Sequence, residues 1–134
     1  MKPVNNNNVS MFQPNVKTIN LTRESVSMGD DAFDHSLKVE VDRNWNISQI
    51  LEKIIEINYL PQIHGGKATW SVAHHTPLAI VAQQWGKPEL ICGADYPYAN
   101  TEHYITIGSL HFNYHAQQDP ITVLEILRRY RDPQ

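Results

Sequence analysis

Cysteine is almost absent from this sequence, because Cys92 is the only one among 134 residues. A single thiol excludes an internal disulfide bond, and a chain without disulfides suits the reducing conditions of the cytoplasm. Cys92 directly follows the apolar pair Leu90-Ile91. We therefore interpret it as a small core residue rather than as a reactive nucleophile.

Long hydrophobic runs are also missing. The longest run, residues 78–82, has five members, whereas a membrane span needs roughly 18 apolar residues. The first eleven residues contain no continuous apolar stretch of the kind that a secretory signal needs. We therefore expect a cytoplasmic protein without a membrane anchor.

Positive charge is not in excess, since the chain has 11 Lys and Arg residues, 14 Asp and Glu residues and a formal net charge of −3. Proteins bind nucleic acid through clustered cations that neutralise phosphates, so this balance argues against nucleic acid as a partner. Hydrophobic residues make up 41% of the chain, which suffices for one core. The polar start predicts a flexible tail over residues 1–15 and a single domain over residues 16–134.

Hydrophobic periodicity predicts both strands and helices. Apolar and charged residues alternate over residues 37–42, which is typical of a strand with one buried face. Leucine and isoleucine recur at helical spacing over residues 47–58, where Asn46 can cap the helix, and Asp119-Pro120 opens a second helix. Together with predicted strands at 16–22, 67–73, 78–85 and 88–92, this order predicts an α+β fold: a mostly antiparallel sheet with two helices packed on one face.

Two strands in the middle of the chain are predicted to pair as a hairpin. The pattern places Trp70 opposite Val81, Ser71 opposite Ile80, and Val72 opposite Ala79, with Ala73 facing Leu78 near the turn. Small or apolar residues occupy both sides of these strands, which is typical of strands near the middle of a sheet.

A second hairpin is predicted around Gly108-Ser109, a dipeptide with the first-position glycine that a type II′ turn requires. This register pairs Ile105 with Phe112 and sorts the flanking residues into two faces. We expect the apolar face to be buried; it comprises Ile105, Ile107, Leu110, Phe112 and Tyr114. The other face is polar and carries Glu102, Tyr104, Thr106, His111, Asn113 and His115.

The polar face of this second hairpin is the candidate catalytic site. Glu102 lies opposite His115 in the predicted register, and His111 is on the same face. Two histidines beside a carboxylate could perform general acid–base cleavage of RNA. The alternative is an ordinary solvent-facing sheet surface, which antiparallel sheets commonly have, and the lack of a basic groove favours that alternative.

Neither a metal ion nor another cofactor is expected. His111 and His115 form an HxxxH pair, but on a strand this spacing separates them by about 13 Å, which is too far to share one ion. The chain has no pair of cysteines and no HExxH motif. His64-Gly65-Gly66-Lys67 lacks the spacing of a phosphate-binding loop.

Two groups of residues are candidates for binding another protein. Asp30, Asp31 and Asp34 precede a strand whose open face carries Glu40 and Asp42, and if contiguous they would steer a basic partner. The alternative is solvated surface. The second group is Tyr96 and Tyr98, which flank a proline and offer stiff aromatic contact area, unless their rings fold back onto the sheet.

The segment at residues 60–70, LPQIHGGKATW, and the segment at residues 78–85, LAIVAQQW, resemble parts of small bacterial proteins without an assigned reaction. In its size, acidity and α+β build, the whole chain resembles the immunity proteins of polymorphic toxin and contact-dependent growth inhibition systems. That resemblance implies a cytoplasmic bacterial protein that binds and blocks one cognate toxin domain, for instance a nuclease. It assigns no role to any residue.

The favoured hypothesis is therefore a non-enzymatic immunity protein whose partner is a toxin. The alternative is a small hydrolase or nuclease-like enzyme that uses His111, His115 and Glu102. A third possibility is a structural module that self-associates through an exposed strand edge.

Overall fold

A computed structural model describes residues 15–91 and 108–131; of residues 130 and 131 it describes the backbone only. Most of the predicted N-terminal tail lies outside this part of the chain. So do Cys92, Tyr96, Tyr98 and Glu102, and the predictions made for them stay predictions.

The described residues form one six-stranded sheet and two α-helices, which confirms the predicted α+β class and its mostly antiparallel sheet. The strand order is β2-β1-β6-β3-β4-β5, and every neighbouring pair is antiparallel except β1 and β6. The strands are β1 (Val16–Arg23), β2 (Leu37–Asp42), β3 (Thr69–His74), β4 (Thr76–Ala82), β5 (Glu89–Leu90) and β6 (Ser109–Tyr114). The helices are α1 (Ile47–Glu56) and α2 (Pro120–Arg131), and a short 3-10 turn spans Asp30–Ala32.

Local sequence signals set both ends of α1. The side chain of Asn46 accepts a hydrogen bond from the backbone N–H of Gln49, and the side chain of Gln49 accepts one from the N–H of Asn46, forming a capping box. At the other end Asn58 adopts a left-handed conformation, with φ of 61°. The N–H of Asn58 bonds the carbonyl of Ile55 and that of Tyr59 bonds the carbonyl of Ile54, which is a Schellman motif. The helix thus ends two residues earlier than predicted.

The main hydrophobic core lies between α1 and one face of the sheet, which we call the first face. Alternate residues of five strands point to this face, as the period of two requires. On the helix side, the core contains Ile47, Ile50, Leu51 and Ile54. On the sheet side, it contains Ile19, Leu21, Val39, Val41, Trp70, Val72, Ala79, Val81, Leu110 and Phe112.

The second helix packs on the opposite face, so the prediction of two helices on one face is wrong. Val123 and Leu124 of α2 pack with Ile80 and Ile91. Ile80 lies between Ala79 and Val81 on β4, and it therefore points away from the first face. Because β4 is apolar on both sides, each face of the sheet can bury a helix. We call this side of the sheet the second face.

The predicted register of the first hairpin is confirmed. Trp70 pairs with Val81, Ser71 with Ile80, and Val72 with Ala79. The register shifts after Val72, so Ala73 pairs with Pro77 rather than with Leu78 as predicted. His75 completes the tight connection in a left-handed conformation, with φ of 69°.

The second predicted hairpin is wrong in its strand pairing. β6 is a central strand, and Phe112 pairs with Arg23 of β1 on one edge and with Val72 of β3 on the other. A strand has only two hydrogen-bonding edges, so Phe112 has no edge left for the predicted pairing with Ile105, a residue outside the described part. The predicted faces of β6 itself are confirmed, since Leu110 and Phe112 are buried while His111 and His115 are partly exposed.

Candidate functional site

The connection between β1 and β2 is unusually long for two neighbouring antiparallel strands. Two to five residues suffice to join such a pair, whereas residues 24–36, thirteen in all, make this connection. We call these residues the acidic loop. Long loops within a compact domain are usually functional.

Asp30 fastens the acidic loop to the end of β1. Its carboxylate accepts hydrogen bonds from Nη1 and Nη2 of Arg23 at 2.8 and 3.3 Å, and one from the backbone N–H of Val26 at 2.9 Å. Both side chains of the ion pair are largely shielded from water. The hydrogen-bonded Arg23 guanidinium and the Val26 N–H lower the pKa of Asp30 to about 2.

A second fastening joins the acidic loop to the core. Nε2 of His35 donates to the carbonyl oxygen of Asp30 at 2.8 Å, and the Tyr59 hydroxyl donates to the carbonyl oxygen of His35. The Tyr59 ring packs edge-on against buried Phe112, with 5.8 Å between ring centroids. Burial raises the pKa of Tyr59 to about 12, so its hydroxyl stays a donor at neutral pH.

The fastened loop exposes two large apolar side chains. Met28 and Phe33 flank the 3-10 turn and are 89% and 69% exposed. Asp31 and Asp34 are exposed close by in the sequence. Oδ1 of Asp34 accepts hydrogen bonds from the N–H and hydroxyl of Ser36, and these bonds lower the pKa of Asp34, so the carboxylate is ionised at neutral pH.

A shallow depression adjoins the loop. Leu37 and Ile57, both of them exposed, line it together with Asp34 and Tyr59. Among the described residues, four of the seven exposed large hydrophobic side chains belong to the loop or to this depression. We group these exposed apolar side chains with the two exposed acidic residues of the loop under the name loop surface; it comprises Met28, Asp31, Phe33, Asp34, Leu37 and Ile57.

The structure does not bring the five predicted acidic residues together. The carboxylate of Asp30 is hydrogen-bonded to Arg23 and to the N–H of Val26, and only Asp31 and Asp34 belong to the loop surface. Glu40 and Asp42 alternate with the core residues of β2, so they lie on the second face of the sheet. The period of two predicts the face of these strand residues, but it carries no information about the path of the loop.

His111 of β6 and His115, which follows the end of that strand, lie on the second face, with Asn113 between them. Nδ1 of His111 lies 2.7 Å from the Thr22 hydroxyl, and Nε2 of His115 lies 2.8 Å from the Ser71 hydroxyl. Burial lowers the pKa of His115. Each imidazole is therefore tied to a hydroxyl on a neighbouring strand.

The geometry does not join the two histidines into one catalytic pair. Four residues along a strand separate them by about 13 Å. The described carboxylate that acts electrostatically on His115 belongs to Glu24, whose Oε1 also accepts the N–H of Tyr114 at 2.8 Å. Glu24 was not predicted to lie near His115, because the predicted register placed Glu102 there. In residues 15–91 and 108–131, no three His, Cys, Asp or Glu residues are grouped so that they could hold a metal ion.

Comparison with known proteins adds no assignment, because no family model, curated protein or solved structure matches the chain. Within the described residues, neither helix has the length and hydrophobicity to cross a membrane.

Proposed function

We propose that this protein is an immunity protein that binds and neutralises a bacterial toxin domain through the loop surface. The observation that carries the proposal is the exposure of Phe33 and Met28 on a loop that is fastened at both Asp30 and His35. Aromatic residues and methionine are enriched in protein–protein interfaces. A loop held in place before binding loses less conformational entropy when a partner docks.

Charge indicates the kind of partner. Asp31 and Asp34 place two exposed carboxyl groups close in sequence to the apolar side chains, and the whole chain carries a formal net charge of −3. Opposite charges at an interface speed the encounter of two proteins and select against wrong partners. A toxin that acts on nucleic acid needs a basic surface for phosphates, so a nuclease domain fits this arrangement.

One observation favours the enzyme alternative. The Ser71 hydroxyl, His115 and nearby Glu24 are the residue types of a Ser-His-acid hydrolase. However, Ser71 is only 4% exposed, and a nucleophile must be accessible to its substrate. Ser71→Ala should therefore leave the activity of the protein unchanged if it is an inhibitor and abolish it if it is such an enzyme.

The experiment is co-expression with the product of the gene immediately upstream, with capture of the complex and growth of the host cell as the two measurements. We expect the wild-type protein to form a complex and to protect the cell. Phe33→Ala should weaken binding by about tenfold or more, as the loss of an interface anchor does. Ile126→Ala removes another exposed apolar side chain, on α2, and should leave affinity unchanged.

Two matched double variants test the role of charge. Asp31→Asn with Asp34→Asn should slow association and flatten its dependence on salt, because exposed charges act at a distance and are screened. Glu40→Gln with Asp42→Asn changes the net charge equally but on the second face, and it should have the smaller effect.

The absence of both complex and protection would refute the proposed function. Binding that survives Phe33→Ala and Met28→Ala would place the interface elsewhere. Tyr96 and Tyr98 are the other candidates, and their replacement by alanine would then speed dissociation.

A further inference from the structure

A cavity of about 240 Å³ opens at the end of the sheet beside the C-terminal end of α1. Its walls come from α1, from the segment that follows the helix and from the end of β4 with the turn after it. Two of the three tryptophans of the chain line it, Trp70 and Trp85. Leu60 and Pro61 add apolar surface, and Lys87 is also part of the lining.

Contacts within the fold hold the walls of this tryptophan cavity in place. Oε1 of Gln83 accepts hydrogen bonds from the backbone N–H groups of Ile63 and Ala68, at 3.3 and 3.2 Å, which fixes the segment that carries Leu60 and Pro61. The Trp70 ring packs against Tyr114, with 4.8 Å between centroids. Trp85 packs against the cluster under α2. The cavity is therefore formed before any ligand enters, as binding sites for small molecules usually are.

The lining carries a charge of one sign. Among the described residues, Lys87 is the one charged member of the lining, and no Asp or Glu contributes to it. Trp70 is only 2% exposed, whereas Trp85 is partly exposed. A ligand that leaves water for this cavity therefore gains most if a flat apolar body meets the Trp85 ring and a negative group reaches the ammonium. The cavity is slightly smaller than those that hold drug-sized molecules, which have volumes of roughly 300–1,000 Å³, so the matching body has one or two rings.

We propose that the tryptophan cavity binds a small planar aromatic carboxylate, with the rings against Trp85 and beside the buried Trp70, and the carboxylate at Lys87. This site is distinct from the loop surface, and the proposal does not depend on the proposed immunity function. Asn58 lines both the tryptophan cavity and the depression beside the acidic loop.

Titration of the ¹⁵N-labelled protein with 2-naphthoate tests the proposal. The indole N–H signals of Trp70 and Trp85 should shift saturably. The signal of Trp45, which contacts Lys53 and not the cavity, should stay in place. Lys87→Gln should weaken binding by about threefold to fivefold, the effect expected for an exposed ion pair.

Two controls separate the charge from the rings. Lys38→Gln removes an exposed lysine from β2, at the other edge of the sheet, and should bind 2-naphthoate like the wild type. The neutral analogue 2-naphthamide should bind the wild type and Lys87→Gln equally. The proposal is overturned if the two indole signals do not saturate, or if Lys87→Gln binds 2-naphthoate as tightly as Lys38→Gln does.

Discussion

Replacing Asp30 with asparagine should destabilise the fold and loosen the acidic loop. The substitution keeps the size of the side chain but removes the charge that pairs with Arg23, and it replaces one of the two carboxylate oxygens that accept hydrogen bonds from Arg23 and from the N–H of Val26 with an NH2 group. Arg23 is then left as a shielded cation without its partner, which costs more than the loss of one hydrogen bond.

The pKa of Asp30 gives the size of the effect. A carboxyl group with a pKa of 3.8 in the unfolded chain and about 2 in the folded protein stabilises the fold by about 2 kcal/mol at neutral pH. Some water still reaches the pair and screens it, so we expect a loss of about 1 to 2 kcal/mol in the free energy of unfolding. Urea denaturation followed by tryptophan fluorescence measures this loss.

The loss should depend on pH in a defined direction. The pKa is lowered in the folded protein, so the stabilisation is fully present above the unfolded value of 3.8 and disappears as the pH falls through about 2. At pH 3 about half of the difference between wild type and variant should remain.

Asp31→Asn is the matched control, because Asp31 is the next residue and its side chain is exposed. Its effect on stability should be within about 0.5 kcal/mol. Equal stability of the two variants, or a difference that does not shrink between pH 7 and pH 3, would show that Asp30 does not fasten the loop. If the loop surface binds a toxin, Asp30→Asn should weaken toxin binding more than Asp31→Asn does. Loss of charge alone would weaken binding equally in the two variants.

Four further predictions concern the core, the cap and the histidines. Asn46→Ala removes the capping box and should cost about 1 kcal/mol of stability in urea denaturation, and an unchanged midpoint would contradict this. Phe112→Ala should lower the free energy of unfolding by about 3–5 kcal/mol, because the side chain is fully buried in the core and packs against Tyr59. His115 has a lowered pKa, so stability should fall as the pH drops below 6.5; His115→Gln should flatten that dependence. The purified protein should retain no stoichiometric zinc after dialysis, and zinc that is lost in His111→Ala would revive the enzyme alternative.

The parts of the fold that were predictable from the sequence depend on local patterns. The capping residue and the apolar spacing of α1 lie within a dozen residues, and the register of β3 and β4 follows from the short connection between two adjacent strands. In both cases, the residues that specify the structure are near each other in the chain, so local patterns find them.

The errors concern contacts between distant residues. β6 pairs with β1, where Ser109 lies opposite Asn20. No short-range pattern indicates that two strands so far apart in the sequence pair with each other. The turn signal at Gly108-Ser109 therefore outweighed the true pairing. The position of α2 was predicted wrongly for a related reason: the apolar residues on both sides of β4 were interpreted as the mark of a central strand, and no local pattern shows which face each helix covers.

The candidate site was predictable in its composition but not in its geometry. The sequence identifies Asp30, Asp31 and Asp34 as acidic and close together, yet nothing in it shows that Asp30 faces inward to Arg23 while its neighbours face solvent. Phe33 was missed for the same reason. An isolated aromatic residue in a polar stretch is as compatible with a side chain exposed to solvent as with one buried to anchor the loop. Only the path of the loop decides between these possibilities.

The acidic loop is difficult to explain as a purely structural element. A short turn would join β1 to β2, and ordering thirteen residues opposes folding by roughly 1 kcal/mol or more for each residue. The ion pair of Asp30 and the hydrogen bonds of His35 offset part of that cost, while Met28 and Phe33 contribute little burial in return because they face solvent. Selection for stability alone would shorten the loop or turn its apolar side chains inward. A long loop that is fastened and yet displays apolar side chains is instead what recognition of another protein requires.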